Sequence, residues 1–180
     1  MYYQIIDNFL KKNFYEDLSH QLKSENIPWF FKKEDTLGIA SNNKNNNGFF
    51  SFCYYNDFKP DHVLFENHIV PILKQLDIVS CIQVRANLTF RDIDHLESKY
   101  HNDNTSSNVT TGIFYLTTCN AKTVLKINNK ELLVDSVENR LLLFNSQIKH
   151  KVIYQNDCHK RYVINFNFIK KNNEPYKEII

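Results

Sequence analysis

Arg161-Tyr162-Val163-Ile164-Asn165-Phe166-Asn167-Phe168-Ile169 alternates in side-chain character along its whole length. In an extended strand successive side chains point to opposite faces, so Arg161, Val163, Asn165 and Asn167 share one face while Tyr162, Ile164, Phe166 and Phe168 share the other. The bulky apolar face belongs against a supporting layer. An arginine and two asparagines on the opposite face suit a binding site better than a dry core.

Upstream of this stretch the same period-two, β-rich pattern recurs at Ile78 to Leu88, Val109 to Thr118, Thr123 to Ile127, Lys130 to Val134, Arg140 to Phe144 and His150 to Tyr154. Asn128-Asn129 fits a tight hairpin turn between two of these strands. Before residue 78 the spacing is helical. Phe9, Leu10, Phe14, Leu18 and Leu22 form one stripe, with Asp7 or Asn8 available to cap it. Leu64, Phe65, Ile69, Ile72, Leu73 and Leu76 form a second, with Asp61 as cap and a kink at Pro71. Helices followed by a run of strands predict an α+β protein. N-terminal supporting helices over about 7–77 would back a jelly roll, a cupin-like double-stranded β-helix, over about 78–169. Residues 41–48 read as a polar surface loop leading into the aromatic run Phe49 to Tyr55, for which buried packing is expected ahead of a substrate groove.

The chain has 180 residues, of which 42% are hydrophobic, 14% aromatic and 23% charged, which predicts one globular domain over 1–180 and excludes a disordered or collagenous chain. Its formal charge of +2 gives no support for a surface dedicated to nucleic acid. No apolar run is long enough to span a membrane, and Met1-Tyr2-Tyr3-Gln4 does not open a signal peptide, so a soluble, cytoplasmic protein is expected. Cys53, Cys81, Cys119 and Cys158 show no Cys-x-x-Cys spacing, which argues against a zinc site made of thiolates. They read as reduced, mostly buried small residues.

His20, His62, His68, His95 and His159 lack partners at ligand spacing and read as surface or half-buried residues. His101-Asn102-Asp103 differs, because residues two apart on an extended segment face the same side and can hold one cation between them. His150 follows the apolar strand Arg140 to Phe144, and Arg161 heads the last strand. Two imidazoles and a carboxylate brought together across a jelly roll make the facial triad suited to non-haem Fe(II), with three positions left open. Those positions can chelate a small oxo-acid and still accept O2, while an arginine on a neighbouring strand grips the far carboxylate through two parallel hydrogen bonds.

Over roughly residues 78–169, and more loosely over the first helix, the sequence resembles the Fe(II)- and 2-oxoglutarate-dependent dioxygenases, most closely their prolyl 4-hydroxylase-like branch. The stretches that carry the resemblance are Tyr100-His101-Asn102-Asp103, Thr111-Gly112-Ile113-Phe114-Tyr115-Leu116, Arg140-Leu141-Leu142-Leu143-Phe144-Asn145-Ser146 leading to His150, and Arg161-Tyr162-Val163-Ile164-Asn165-Phe166. The resemblance implies that His101, Asp103 and His150 are the catalytic iron ligands and that Arg161 and Tyr115 hold the distal carboxylate of 2-oxoglutarate. It implies further polar contacts to that co-substrate from Asn87, on the strand before His101, and from Thr111, on the face shared with Ile113 and Tyr115. Fe(II), 2-oxoglutarate and O2 would be required, with ascorbate as a stimulant. The reaction implied is hydroxylation of an unactivated C–H bond coupled to decarboxylation of 2-oxoglutarate to succinate and CO2. The hydroxylated partner is a peptide or protein side chain or a small metabolite.

Two features depart from the family. Asn120-Ala121 stands where many relatives carry Gly-Gly, which leaves the neighbouring Cys119 without a role. The segment with Arg91, Asp92, Asp94, Glu97 and Lys99 is either a lid or a solvated run of charge. Three alternatives stay open on sequence alone: a non-catalytic cupin-like module for sugar or protein, with Arg161 in a structural ion pair; a metalloenzyme with the same triad but no oxo-acid; and His159 in place of His150.

Overall fold

The computed structural model describes residues 3–32, 48–91 and 97–171. The polar run 41–47 and the residues Asp92, Asp94 and His95 lie outside these. Eleven strands are present among the described residues: β1 (Tyr3–Ile6), β2 (Phe30–Lys32), β3 (Phe49–Asn56), β4 (Lys59–Pro60), β5 (Ile78–Phe90), β6 (Val109–Tyr115), β7 (Cys119–Ile127), β8 (Lys130–Ser136), β9 (Arg140–Asn145), β10 (His150–Ile153) and β11 (Lys160–Lys170). The larger sheet runs β1-β9-β6-β11-β5-β3-β2 with β4 paired to β3, and the smaller runs β10-β7-β8. Two antiparallel sheets with this non-sequential order form the jelly roll that the pattern predicts.

Alternation along β11 works as the sequence implies. Tyr162, Ile164, Phe166 and Phe168 enter one core together with Phe114, Leu141 and Leu143, against helix α1 (Lys12–Lys23) and the second helical segment. Val163 enters a second core between the sheets, with Ile113, Tyr115, Leu125, Val134, Leu142 and Phe144. The large sheet is thus buried on both faces, and its central strands carry apolar residues on both. Asn128 and Asn129 have φ of 49° and 62°, and Ile127 pairs with Lys130, which is the left-handed two-residue hairpin turn that asparagine favours.

The N-terminal third departs from the expected helical support. Strands β1 to β4 fall before residue 78, and all four belong to the large sheet, β4 through its pairing with β3. The aromatic run is strand β3, with Phe52 and Tyr54 in the helix-side core, so buried packing accounts for those two rings. The second helix is also built differently. A wide π turn, Phe65–Ile69, in which the Val70 N–H reaches the Phe65 carbonyl, precedes α2 (Val70–Gln75). Pro71 has no N–H and its ring crowds the preceding turn, so it is accommodated in the first turn of α2, where no donor is needed. Asp61 does not cap this helix, because its N–H pairs with the Tyr54 carbonyl and its backbone belongs to the β3–β4 hairpin.

Neither Asp7 nor Asn8 caps α1. Asp7 is bound to Arg140 and Asn8 has φ of 51°, while Lys11 takes the cap position without a side-chain hydrogen bond. The start of the helix is held instead by Asn139, whose amide makes two hydrogen bonds to the Leu10 backbone. The four cysteines are free, as expected, but only Cys81 is buried; Cys53, Cys119 and Cys158 are partly exposed. No described helix is long and apolar enough to cross a membrane.

Candidate active site

Residues 97–101 run antiparallel to β10. Ser98 donates its N–H to the Val152 carbonyl at 2.9 Å, and His101 and His150 exchange both backbone hydrogen bonds at 2.9 and 3.0 Å. This ladder sets the two imidazoles side by side, with ring centroids 4.3 Å apart. His101 Nδ1 lies 3.2 Å from the Lys99 carbonyl, and His150 Nδ1 lies 3.2 Å from the Ile148 carbonyl. A carbonyl oxygen can only accept, so both rings carry their proton on Nδ1 and present the Nε2 lone pair to the other side.

Both lone pairs face the same atom. Asp103 Oδ1 lies 3.7 Å from His101 Nε2 and 3.6 Å from His150 Nε2, too far for hydrogen bonds but a span that one cation bound to all three closes. Asp103 Oδ2 is buried and has no hydrogen-bond partner. Three electron-pair donors converging around a buried carboxylate repel one another unless a positive charge sits among them, so the residues present fit a divalent metal. Orientation of both imidazoles by backbone carbonyls is the usual outer support of a metal site. Burial depresses the pKa of His150, and His101 beside it adds to the effect against the opposing pull of Asp103, which keeps this imidazole neutral and able to donate its lone pair.

The same cavity is lined by Asn87, Thr123, Arg161 and Asn165 as well as by His101 and His150. Arg161 is 4% exposed; its Nε donates to Ser136 Oγ at 3.2 Å and its guanidinium lies over the Tyr115 ring. No acidic side chain pairs with it among the described residues, so the structural ion pair of the cupin-like alternative is not formed there. Tyr115 is fully buried beneath it and donates its hydroxyl to Thr123 Oγ1 at 2.8 Å; burial pushes its pKa up to about 12, so it stays a neutral donor. Asn87 Oδ1 is buried in the cavity wall without a partner.

Thr111 is on the inner face as expected, but its hydroxyl donates to Asn167 Oδ1 at 3.0 Å and it does not line the cavity. His159 is likewise outside the cluster: its carbonyl accepts the Arg91 N–H, and it is not among the convergent ligand atoms. Of the charged run before His101, Glu97 is partnered by Lys151 at 2.7 Å. Ser98 and Thr123 line the cavity without having been singled out in the sequence, and so does Phe49, the first ring of the aromatic run for which buried packing is expected ahead of a substrate groove. Thr123 was within reach of the period-two argument, since it alternates with Leu125 of the inter-sheet core. Ser98 carried no such signal, because its segment is ordered by pairing with β10 rather than by its own pattern.

No protein-family model and no curated protein matches this chain. Solved structures do. A prolyl 4-hydroxylase from Pseudomonas putida superposes with a TM-score of 0.63 at 11% identity, covering 94% of this chain and 93% of that one. A prolyl hydroxylase from Trichoplax adhaerens, in complex with a peptide from the oxygen degradation domain of hypoxia-inducible factor, gives 0.64 at 16% identity over 95% and 84%. HygX from Streptomyces hygroscopicus, with nickel, 2-oxoglutarate and hygromycin B bound, gives 0.61 at 8% identity over 94% and 83%. The chain therefore has the double-stranded β-helix fold of the prolyl hydroxylases and other 2-oxoglutarate–Fe(II) oxygenases.

Proposed function

We propose that the protein is a 2-oxoglutarate- and Fe(II)-dependent dioxygenase that hydroxylates an unactivated C–H bond, working as a single cytoplasmic domain. His101, Asp103 and His150 hold the metal, Arg161 binds the distal carboxylate of 2-oxoglutarate, and Asn87 supplies a further polar contact. The observation that carries this reading is the pairing, in one cavity, of a convergent His-Asp-His cluster with a buried arginine that has no acidic partner among the described residues. A buried cation is costly without an anion. A dicarboxylate that reaches from metal to guanidinium satisfies both ends. The four free cysteines agree with a reducing compartment.

Fe(II), when bound, supplies open positions for the oxo-acid and O2, and so couples decarboxylation to succinate and CO2 with oxidation of the substrate carbon. The chain's own part is orientation. The paired backbone of His101 and His150 fixes both Nε2 atoms, and Asp103 adds the negative charge that favours a divalent ion. Arg161, held by Ser136 and seated on Tyr115, presents a preformed fork for a carboxylate. Val163, Ile113 and Val152 line the cavity and exclude water from it. The substrate is a peptide or protein side chain, as the Trichoplax complex suggests, or a small molecule, as the hygromycin B complex suggests.

Calorimetry with Mn(II) and 2-oxoglutarate, followed by succinate release in the presence of Fe(II), ascorbate and O2, tests the reading. Metal-dependent binding of 2-oxoglutarate is expected, with loss of metal binding in His101→Ala and Asp103→Ala. Metal uptake without 2-oxoglutarate binding would move the protein to the oxo-acid-independent class, and uptake of neither would leave a binding module.

A further inference from the structure

A second cluster of ligand-type side chains lies outside the cavity. Cys119 opens β7, while Asp157 and Cys158 belong to the turn that leads into β11. One ligand atom from each falls within 4.8 Å of the others. The two segments are fastened together on either side of the sulfurs. Asn120 Nδ2 donates to Asn156 Oδ1 at 2.6 Å, the Asn156 N–H donates to Asn120 Oδ1 at 3.1 Å, and the Asn120 N–H donates to Asp157 Oδ2 at 2.9 Å. Asp157 and Cys158 are consecutive, which on a strand would send them to opposite faces; on this turn both reach the same point. The Asn120-Ala121 pair that replaces the family's Gly-Gly is thus part of the clamp, together with a bulge in β7 between Cys119 and Lys122.

We propose that Cys119, Asp157 and Cys158 form a second metal site, for a thiophilic divalent cation of the zinc class, with water in the fourth position. In a tetrahedral site with Zn–S of about 2.3 Å, two sulfurs stand about 3.8 Å apart, so the cluster needs only a small inward adjustment. Asp157 is exposed and gives the ion a route from solvent. Binding releases the two thiol protons to solvent, since coordinated cysteines are thiolates. The absence of a Cys-x-x-Cys spacing misleads here because the two cysteines are brought together by sheet topology. The ion would lock the turn at Cys158, three residues before Arg161, making the site a staple for the co-substrate clamp and no part of the His-Asp-His centre.

Titration of the full chain with Co(II) or Cd(II) tests the site, because a sulfur-to-metal charge-transfer band in the near ultraviolet arises from thiolate ligation and not from imidazole or carboxylate. One band-bearing ion per chain is expected, in the wild type and equally in His101→Ala/His150→Ala, which removes the other centre. The band should be lost in Cys119→Ser/Cys158→Ser. Asp157→Asn should keep it but need at least tenfold more metal to saturate. Zinc should raise the melting temperature of His101→Ala/His150→Ala, and this rise should vanish when Cys119→Ser is added. Absence of the band in the reduced wild type overturns the proposal without recourse to any variant. So does a band that survives in Cys119→Ser/Cys158→Ser, or a Cys119–Cys158 disulfide as the product when the protein is held in air with zinc.

Discussion

The guanidinium of Arg161 lies 5.6 Å from the centroid of the Tyr115 ring; both side chains are buried, Arg161 in the wall of the cavity and Tyr115 in the core between the sheets. Stacking on an aromatic face offsets part of the cost of burying a cation, but only part. Function and stability therefore pull apart at this position. Arg161→Met should lose about 2–5 kcal/mol of 2-oxoglutarate binding, about 30-fold or more in affinity, because one partner of a buried charged pair is removed. Its melting temperature should be unchanged or higher, since a buried charge with no acidic partner among the described residues is replaced by an apolar chain. Calorimetry and thermal unfolding of the same preparation check both. A destabilised variant with unchanged affinity would make Arg161 a structural residue.

Asn139 ties together residues at opposite ends of the sequence. Its Oδ1 accepts the Leu10 N–H and its Nδ2 donates to the Leu10 carbonyl, both at 2.9 Å, while its own carbonyl accepts the Phe9 N–H at 3.0 Å. Its φ of 57° lies in the left-handed region that asparagine tolerates better than most residues. Asn139→Ala strands two buried backbone groups and strains the backbone, so a loss of about 2–4 kcal/mol is expected in urea unfolding. Asn139→Gly relieves the strain but not the lost hydrogen bonds, and should fall between the two.

The strands of the jelly roll were legible because each carries its own signal. On β11 the helix-side face is bulky and apolar and the opposite face largely polar, so a period of two survives, whereas β6 and β9 send alternate residues into two different cores and read as short apolar runs. Strands β1, β2 and β4 have four, three and two residues, too few for any period to show, and they exist because the edges of the large sheet accept them. The caps of α1 failed for a related reason. Sequence reasoning looks for a cap close to the helix, whereas Asn139 arrives from between β8 and β9. In the site, His101, Asp103, His150 and Arg161 fell at positions that strand parity could place, and they converge. Thr111 met the same parity rule, but Asn167 takes its hydroxyl. Parity gives the face of a sheet, not the depth along the strand at which the cavity ends.

The turn Asn128-Asn129 gives a prediction that leaves the site untouched. Both residues have positive φ, and glycine at the second position pays no side-chain penalty there. Asn129→Gly should preserve or raise the melting temperature. Asn128→Val, which places a β-branched residue in the left-handed region, should cost about 1–2 kcal/mol. Because β8 is an edge strand of the small sheet, the loss should appear first as faster amide exchange in β8, before global unfolding changes. Uniform exchange across both sheets would show that the small sheet does not open on its own.

His68 sits in a buried hydrogen-bonded chain that links helix α1, strand β3 and the π turn. Its Nδ1 lies 2.8 Å from the Tyr54 hydroxyl and its Nε2 lies 2.6 Å from Gln21 Oε1. The amide oxygen can only accept, so Nε2 carries the proton and Nδ1 accepts from Tyr54, which requires a neutral ring. Burial lowers its pKa from the ordinary 6.5, and His62 adds to this, while Asp17 on α1 opposes it. The unfolded chain therefore takes up a proton at this residue at a higher pH than the folded one does. Its contribution to stability is complete above 6.5 and is lost as the pH falls from there toward the lower folded value, by at most about 1.4 kcal/mol per pH unit. His150 is depressed in the same direction and contributes to the wild-type slope, so the comparison that isolates His68 is with His68→Gln. Urea midpoints measured from about pH 7 to about pH 5 should decline less steeply in His68→Gln than in the wild type. Tyr54→Phe, which leaves Nδ1 without its donor, should weaken the fold at neutral pH by about 1–3 kcal/mol. Equal slopes in wild type and His68→Gln would mean that His68 becomes protonated in place, and that the Tyr54–His68–Gln21 chain does not enforce the neutral form.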